Sequence, residues 1–211
     1  MTKNEMVVQP HVYLSDRFFT AVAYAAEAHK DQVRKSTNIA YISHPFGVAA
    51  LVLEAGGDED QAIAGLLHDV AEDCGGESRL VDIASEFGER VAKIVRACSD
   101  SLEVHEGEKA PWTRRKEEHL RHLRASDADV LLVTAADKTH NARAIATDIQ
   151  SIGVKVWERF NPKDAPISLK REQIIWYYDS VYEILVNAEV TTALLNPLKS
   201  AIEIMKNTES E

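Results

Sequence analysis

The sequence predicts an all-α protein built as a single domain. Apolar residues recur at three- and four-residue spacing in one segment after another, and Asp, Ser, Pro and Gly fall where helices would start and stop. No run shows the two-residue alternation of a half-buried strand, and nothing repeats internally. With 211 residues, 45% of them hydrophobic, the chain can bury one sizeable core but hardly two. The expected organisation is an extension over 1–14, one helical domain over 15–206 and a polar tail over 207–211.

Ser15-Asp16 can cap a helix in which Phe18, Phe19, Val22, Ala25 and Ala26 repeat as far as His29. Residues 31–38 read as a loop with two adjacent bases, Arg34 and Lys35. His44-Pro45 then opens a helix through Val48, Leu51, Val52 and Leu53 that stops at Gly56-Gly57. Asp58 and Gln61 have capping-box spacing and start the next helix, which ends at Cys74-Gly75-Gly76. Two short amphipathic segments follow, Leu80–Phe87 and Val91–Cys98. Asp100–Pro111 is acidic and contains Gly and Pro, the composition of a mobile connection. Trp112–Ala125 should be a helix with one solvated face that includes His119 and His122. Asp127 or Asp129 caps an apolar helix, Ser151–Ser168 is irregular with a short helix near Trp157, and a last pair spans Leu169–Asn187 and Thr191–Lys206.

A net charge of −10 argues against binding a nucleic acid polymer, where affinity comes largely from neutralised phosphates. It leaves room for a small anionic substrate in a locally basic cleft. No apolar run approaches the ~20 residues a membrane helix needs. The polar start of the chain does not resemble a secretory signal, and Cys74 and Cys98 form neither a disulfide framework nor a CxxC pair. A cytoplasmic protein is the expectation, and self-association is compatible with the sequence.

Polar residues break the helical apolar pattern at His44, His68-Asp69 and Asp137. The stretch from Leu66 to Asp73 puts four ionisable groups within six positions, with His68 and Glu72, and Asp69 and Asp73, four apart on what should be one helix. Burying such groups is costly unless a cation or substrate compensates them. Two imidazoles and two carboxylates from three helices suit Mn²⁺, Fe²⁺ or an open Zn²⁺ site better than a closed structural zinc. Taken singly, each has a plainer reading: His44 as a capping residue, and Asp137 as half of a surface ion pair with Lys138.

Together these residues resemble the H…HD…D signature of the HD-domain metal phosphohydrolases. Gln32-Val33-Arg34-Lys35, Tyr41-Ile42-Ser43-His44-Pro45, Leu66–Asp73 and Asp137-Lys138-Thr139-His140-Asn141 are similar, in order, to the motifs of the alarmone hydrolases, the hydrolase domain of RelA/SpoT proteins and their stand-alone relatives. The similarity covers roughly residues 20–190, and a stand-alone hydrolase is the expectation. The resemblance implies one Mn²⁺ per site, or another divalent metal, held by His44, His68, Asp69 and Asp137. It implies Glu72 and Asp73 as the catalytic acidic pair. Arg34, Lys35, Lys138, Asn141 and Tyr177 would contact the substrate. The implied reaction removes the 3′-pyrophosphate from ppGpp-like nucleotides of guanosine, adenosine or both.

Two departures stand out: Ser36 follows the basic pair in place of an acidic residue, and Thr139-His140 replaces an apolar–Tyr pair. His140 could touch substrate or lie on the outer face of its helix. His29 reads as a packing residue and Cys74 as an inert small one. Two other functions stay open at this level. One is an HD phosphohydrolase acting on a 5′-monophosphate or the 2′-phosphate of NADPH. The other is a nucleotide-binding regulatory module without chemistry.

Overall fold

The computed structural model describes residues 12–99, 111–160 and 165–208. Along them run α1 (Asp16–Ala28), α2 (Ser43–Glu54), α3 (Glu59–Leu67), α4 (Val70–Cys74), α5 (Glu77–Phe87) and α6 (Glu89–Cys98). They are followed by α7 (Trp112–Arg124), α8 (Ala128–Ile152), a 3-10 segment (Gly153–Arg159), α9 (Ile167–Asn187) and α10 (Thr192–Lys206). The described residues contain no named strand; a single antiparallel bridge, Val33 to Ala40, closes the loop between α1 and α2. None of their helices is long and apolar enough to cross a membrane. The greater part of the acidic connection, 100–110, and the chain ends 1–11 and 209–211 lie outside the described residues.

Local chemistry sets the helix starts. Ser15 accepts from the Arg17 amide, and Asp58 and Gln61 form the reciprocal capping box at 3.0 and 2.8 Å. Of the two acids before α8, Asp127 is the cap, accepting from Val130 N at 3.2 Å. Asp129 turns sideways instead, to Arg90 and Gln61. After α4 the chain reverses through Gly75 (φ 140°) and Gly76 (φ 63°), backbone angles that side chains disfavour.

Two helices organise the core. The α3 residues Ala62 through Leu67 are all buried, so this helix is surrounded on every side. The 25-residue α8 packs against α2, α3, α6 and α10, and its Thr139 hydroxyl, fully buried, donates to the Leu194 carbonyl of α10. The end of α3 and the middle of α8, where His68 and Asp137 stand, are therefore held inside the core.

Two expectations change here. His119 is not on a solvated face: it is buried against the Tyr177 ring, 6.0 Å between centroids, while His122 is exposed. The stretch after residue 151 is less irregular than expected, because α8 runs to Ile152 and passes directly into the 3-10 segment that buries Trp157.

On the surface, Arg90 clasps three elements by pairing with Asp58, Asp60 and Asp129. Arg90→Ala should lower stability by about 1 kcal/mol at neutral pH, the scale of a partly exposed network. The Arg90 hydrogen bond holds the Asp129 carboxyl below its ordinary value. That contribution is fully present above the unfolded carboxylate range and is lost as pH falls from there through the lowered folded value, so the melting curves of wild type and Arg90→Ala should converge in strong acid.

Candidate active site

Three separated parts of the chain deliver the predicted ligands. His44 stands in the first turn of α2, Asp137 in the middle of α8, and His68-Asp69 at the junction of α3 and α4. The helix expected to continue through His68 and Asp69 is broken there. The His68 ring folds back so that its Nδ1 donates to the Gly65 carbonyl at 2.8 Å, using an acceptor that the end of a helix leaves available. Asp69 heads α4, and its carbonyl accepts from Asp73 N at 2.9 Å, which keeps those two acids on one side as expected.

The four side chains meet at one point. His44 Nε2 lies 3.2 Å from His68 Nε2, 3.1 Å from Asp137 Oδ1 and 3.5 Å from Asp69 Oδ2. His68 Nε2 lies 3.1 Å from Asp69 Oδ2 and 3.7 Å from Asp137 Oδ1. One ligand atom from each of His44, His68 and Asp69 falls within 4.8 Å of the others, a spacing that can hold a metal ion. With Nδ1 committed to the Gly65 carbonyl, Nε2 is the ring nitrogen left to face this point, and the neutral ring would offer its lone pair there. Two inward imidazole nitrogens and two inward carboxylate oxygens form a donor set that fits a divalent cation.

The electrostatics are those of a buried charge cluster. Burial works to lower the pKa of His68, but Asp69 and Asp137 outweigh it and hold that imidazole well above its ordinary value. For His44 burial prevails and the shift is downward. Burial would raise both Asp69 and Asp137, yet both are pulled low, Asp69 chiefly by His68 and Asp137 by Lys138 and the two imidazoles. Asp137 is also held by Asn141 Nδ2 at 2.6 Å and by Lys138 Nζ at 2.7 Å on its other oxygen. The Asp137–Lys138 contact is therefore an interior pair rather than a surface one.

Glu72 and Asp73 line a cleft of about 230 Å³ together with three of the four ligand candidates, His44, Asp69 and Asp137, and with Lys138 and Asn141. Burial and the Asp69 charge push the Asp73 carboxyl above its ordinary value. Next to the cleft is a cavity of about 470 Å³ lined by Arg34 and Lys35, with Tyr41 and Asn141 on the shared wall. Arg34 reaches across to Asn141 Oδ1 at 2.9 Å, so the basic loop is tied to α8.

The structure also shows what residue-by-residue reading missed. Tyr177 does not line the cavity. It packs in the seam with α7, against Trp112 and His119, and its neighbour Tyr178 faces the cavity. Tyr41 donates from its hydroxyl to Asp69 Oδ2 at 2.5 Å, and burial and that carboxylate raise its pKa. Its place three residues before His44 was the available signal. Arg159, at the end of the 3-10 segment, and Phe160 just after it line the cavity beside Asp148, with which Arg159 forms an ion pair; nothing in the sequence marked them. His29 packs its ring 4.9 Å from Tyr41. His140 turns inward, its Nδ1 2.9 Å from His44 Nδ1, and burial, His44 and Arg34 push its pKa down to about 4.

Comparison with known proteins fits this geometry. Residues 21–161 match the family described as HD domain, which is more than half of the chain. The chain belongs to the HD-domain family. Its relatives include guanosine-3′,5′-bis(diphosphate) 3′-pyrophosphohydrolase MESH1 of Xenopus tropicalis, 36% identical over 126 residues, 58% of this chain and 66% of that protein. The enzyme named guanosine-3′,5′-bis(diphosphate) 3′-pyrophosphohydrolase in Aquifex aeolicus is 31% identical over 172 residues, 77% of this chain. This HD domain spans only 23% of the Aquifex protein, and 16% of a probable enzyme of the same name from Synechocystis. Among solved structures, a metazoan ortholog of SpoT described as hydrolysing ppGpp superposes with a TM-score of 0.72. That superposition covers 94% of this chain and 100% of the other at 24% identity, a likeness of fold.

Proposed function

We propose that the chain is a metal-dependent hydrolase that removes the 3′-pyrophosphate from (p)ppGpp-type alarmones of guanosine, adenosine or both. The observation that carries the proposal is the convergence of His44, His68, Asp69 and Asp137 beside an acidic pair and a cavity bearing Arg34 and Lys35. The names of the relatives support the same substrate class.

His44 Nε2, His68 Nε2 and one oxygen each of Asp69 and Asp137 would hold one Mn²⁺, or another divalent ion suited to nitrogen and oxygen donors. When bound, such an ion supplies Lewis-acid polarisation of a phosphoryl oxygen and acidifies water. The protein's own groups do the rest. Asp73, with its raised pKa, takes a proton from the attacking water, and Glu72 on the same turn of chain orients that water or returns a proton to the leaving group. Arg34, Lys35 and Lys138 offset the charge of a polyanion, which a protein of net charge −10 would otherwise repel. Tyr41 steadies Asp69, and Tyr178, Arg159 and Phe160 give the nucleoside end of the substrate a wall.

The test is to incubate the protein with Mn²⁺ and a panel of guanosine and adenosine 3′-pyrophosphates, 5′-monophosphates and NADPH, identifying both products. Pyrophosphate and the matching 5′-phosphorylated nucleoside are expected. Release of inorganic phosphate alone would move the assignment to a nucleotide or NADPH phosphatase, and no turnover of any member would leave a binding module.

A further inference from the structure

The reaction as written gives one inward-facing imidazole no task. His140 Nδ1 lies 2.9 Å from His44 Nδ1. Two ring nitrogens at that distance share a single proton, so one donates and the other accepts. His44 Nε2 faces His68 and Asp137. For Nε2 to offer a lone pair there, the proton must sit on Nδ1, and His140 must accept it.

A second observation concerns the seat of that ring. A Cβ added at Gly47 would lie 2.2 Å from both Cδ2 and Nε2 of His140, far inside contact distance. Gly47 is inside α2, one turn after His44, where glycine costs about 1 kcal/mol relative to alanine. The same helix thus presents His44 and, a turn later, the bare backbone on which the partner of His44 rests.

We propose that His140, seated on Gly47, is a positioning residue that fixes the tautomer and ring orientation of His44 so that Nε2 points at the metal position. The inference rests on the reading of His44 as a ligand, and not on which nucleotide is hydrolysed.

The experiment is calorimetric titration of the purified full chain with Mn²⁺, with melting of the metal-free protein recorded alongside. His140→Phe keeps a flat ring but cannot accept a proton, and it should weaken Mn²⁺ binding about 10–100-fold, the usual effect of losing a partner behind a ligand. His140→Asn, whose amide oxygen can take the place of Nδ1, should stay within about threefold of wild type on the same scale. Gly47→Ala should weaken binding as His140→Phe does, and should add nothing further in a His140→Ala background.

Wild-type affinity in His140→Phe or, should that variant not fold, in Gly47→Ala would overturn the proposal. Equal loss in His140→Phe and His140→Asn would also overturn it, by showing that the ring only packs. A wild type that binds none of Mn²⁺, Fe²⁺ and Zn²⁺ in the same titration would overturn the metal reading and this inference together. Mn²⁺ binding without hydrolysis would overturn the proposed substrate and leave the inference standing.

Discussion

Asp69→Ala is expected to cost the protein its bound metal and its turnover together, while leaving it folded. Asp69 Oδ2 lies within 3.1 Å of His68 Nε2 and 3.5 Å of His44 Nε2, and it accepts from the Tyr41 hydroxyl. Removing it deletes one of two inward carboxylates and leaves two imidazole nitrogens facing each other at 3.2 Å with less negative charge to hold a cation between them. Changes behind a ligand already cost about 10–100-fold in affinity, so loss of a ligand should exceed about a hundredfold. Calorimetry with Mn²⁺ and product analysis measure the two effects, and circular dichroism checks the fold. Unchanged turnover in this variant would end the metal mechanism.

The second large effect separates chemistry from metal binding. Glu72→Gln and Asp73→Asn keep the size of each side chain and remove its capacity to take a proton. Each should lower kcat by about 10²–10⁴-fold, the usual contribution of a positioned acid or base, with Mn²⁺ affinity near that of wild type. Asp73 is the better candidate for the base, because burial and the neighbouring Asp69 charge already raise its carboxyl pKa. If Glu72→Gln lost the metal instead, Glu72 would have to be counted among the ligands.

Much of this was legible in the sequence, for a physical reason. Histidine and aspartate inside an apolar helical pattern are conspicuous because burying them needs compensation, and His44, His68 and Asp137 are buried while the Asp69 side chain is 24% exposed. The interruption between α3 and α4 was not legible. Apolar periodicity continues across it from Leu67 to Val70, and at the break a side chain, His68, bonds the Gly65 carbonyl. Adjacent candidates were hard to separate for a related reason. Tyr177 and Tyr178 differ by about 100° around α9, so a shift of one residue decides which ring meets the cavity. Asp127 and Asp129 are both plausible caps by type, and Arg90, distant in sequence, claims the second. Arg159 and Phe160 reach the cavity only because the 3-10 segment folds back along α8, a tertiary event with no local pattern.

Asp137, Lys138, His140 and Asn141 all belong to α8, and this ties their directions to one another. They turn as a unit, like teeth on a shaft. A single residue inserted or deleted between the Asp127 cap and Asp137 would rotate all four by about 100° relative to His44 and His68-Asp69, disengaging them at a stroke. Additions beyond Ile152 leave their phase untouched. The spacing from cap to ligand is therefore a fixed dimension of the molecule, set by the phase of one helix.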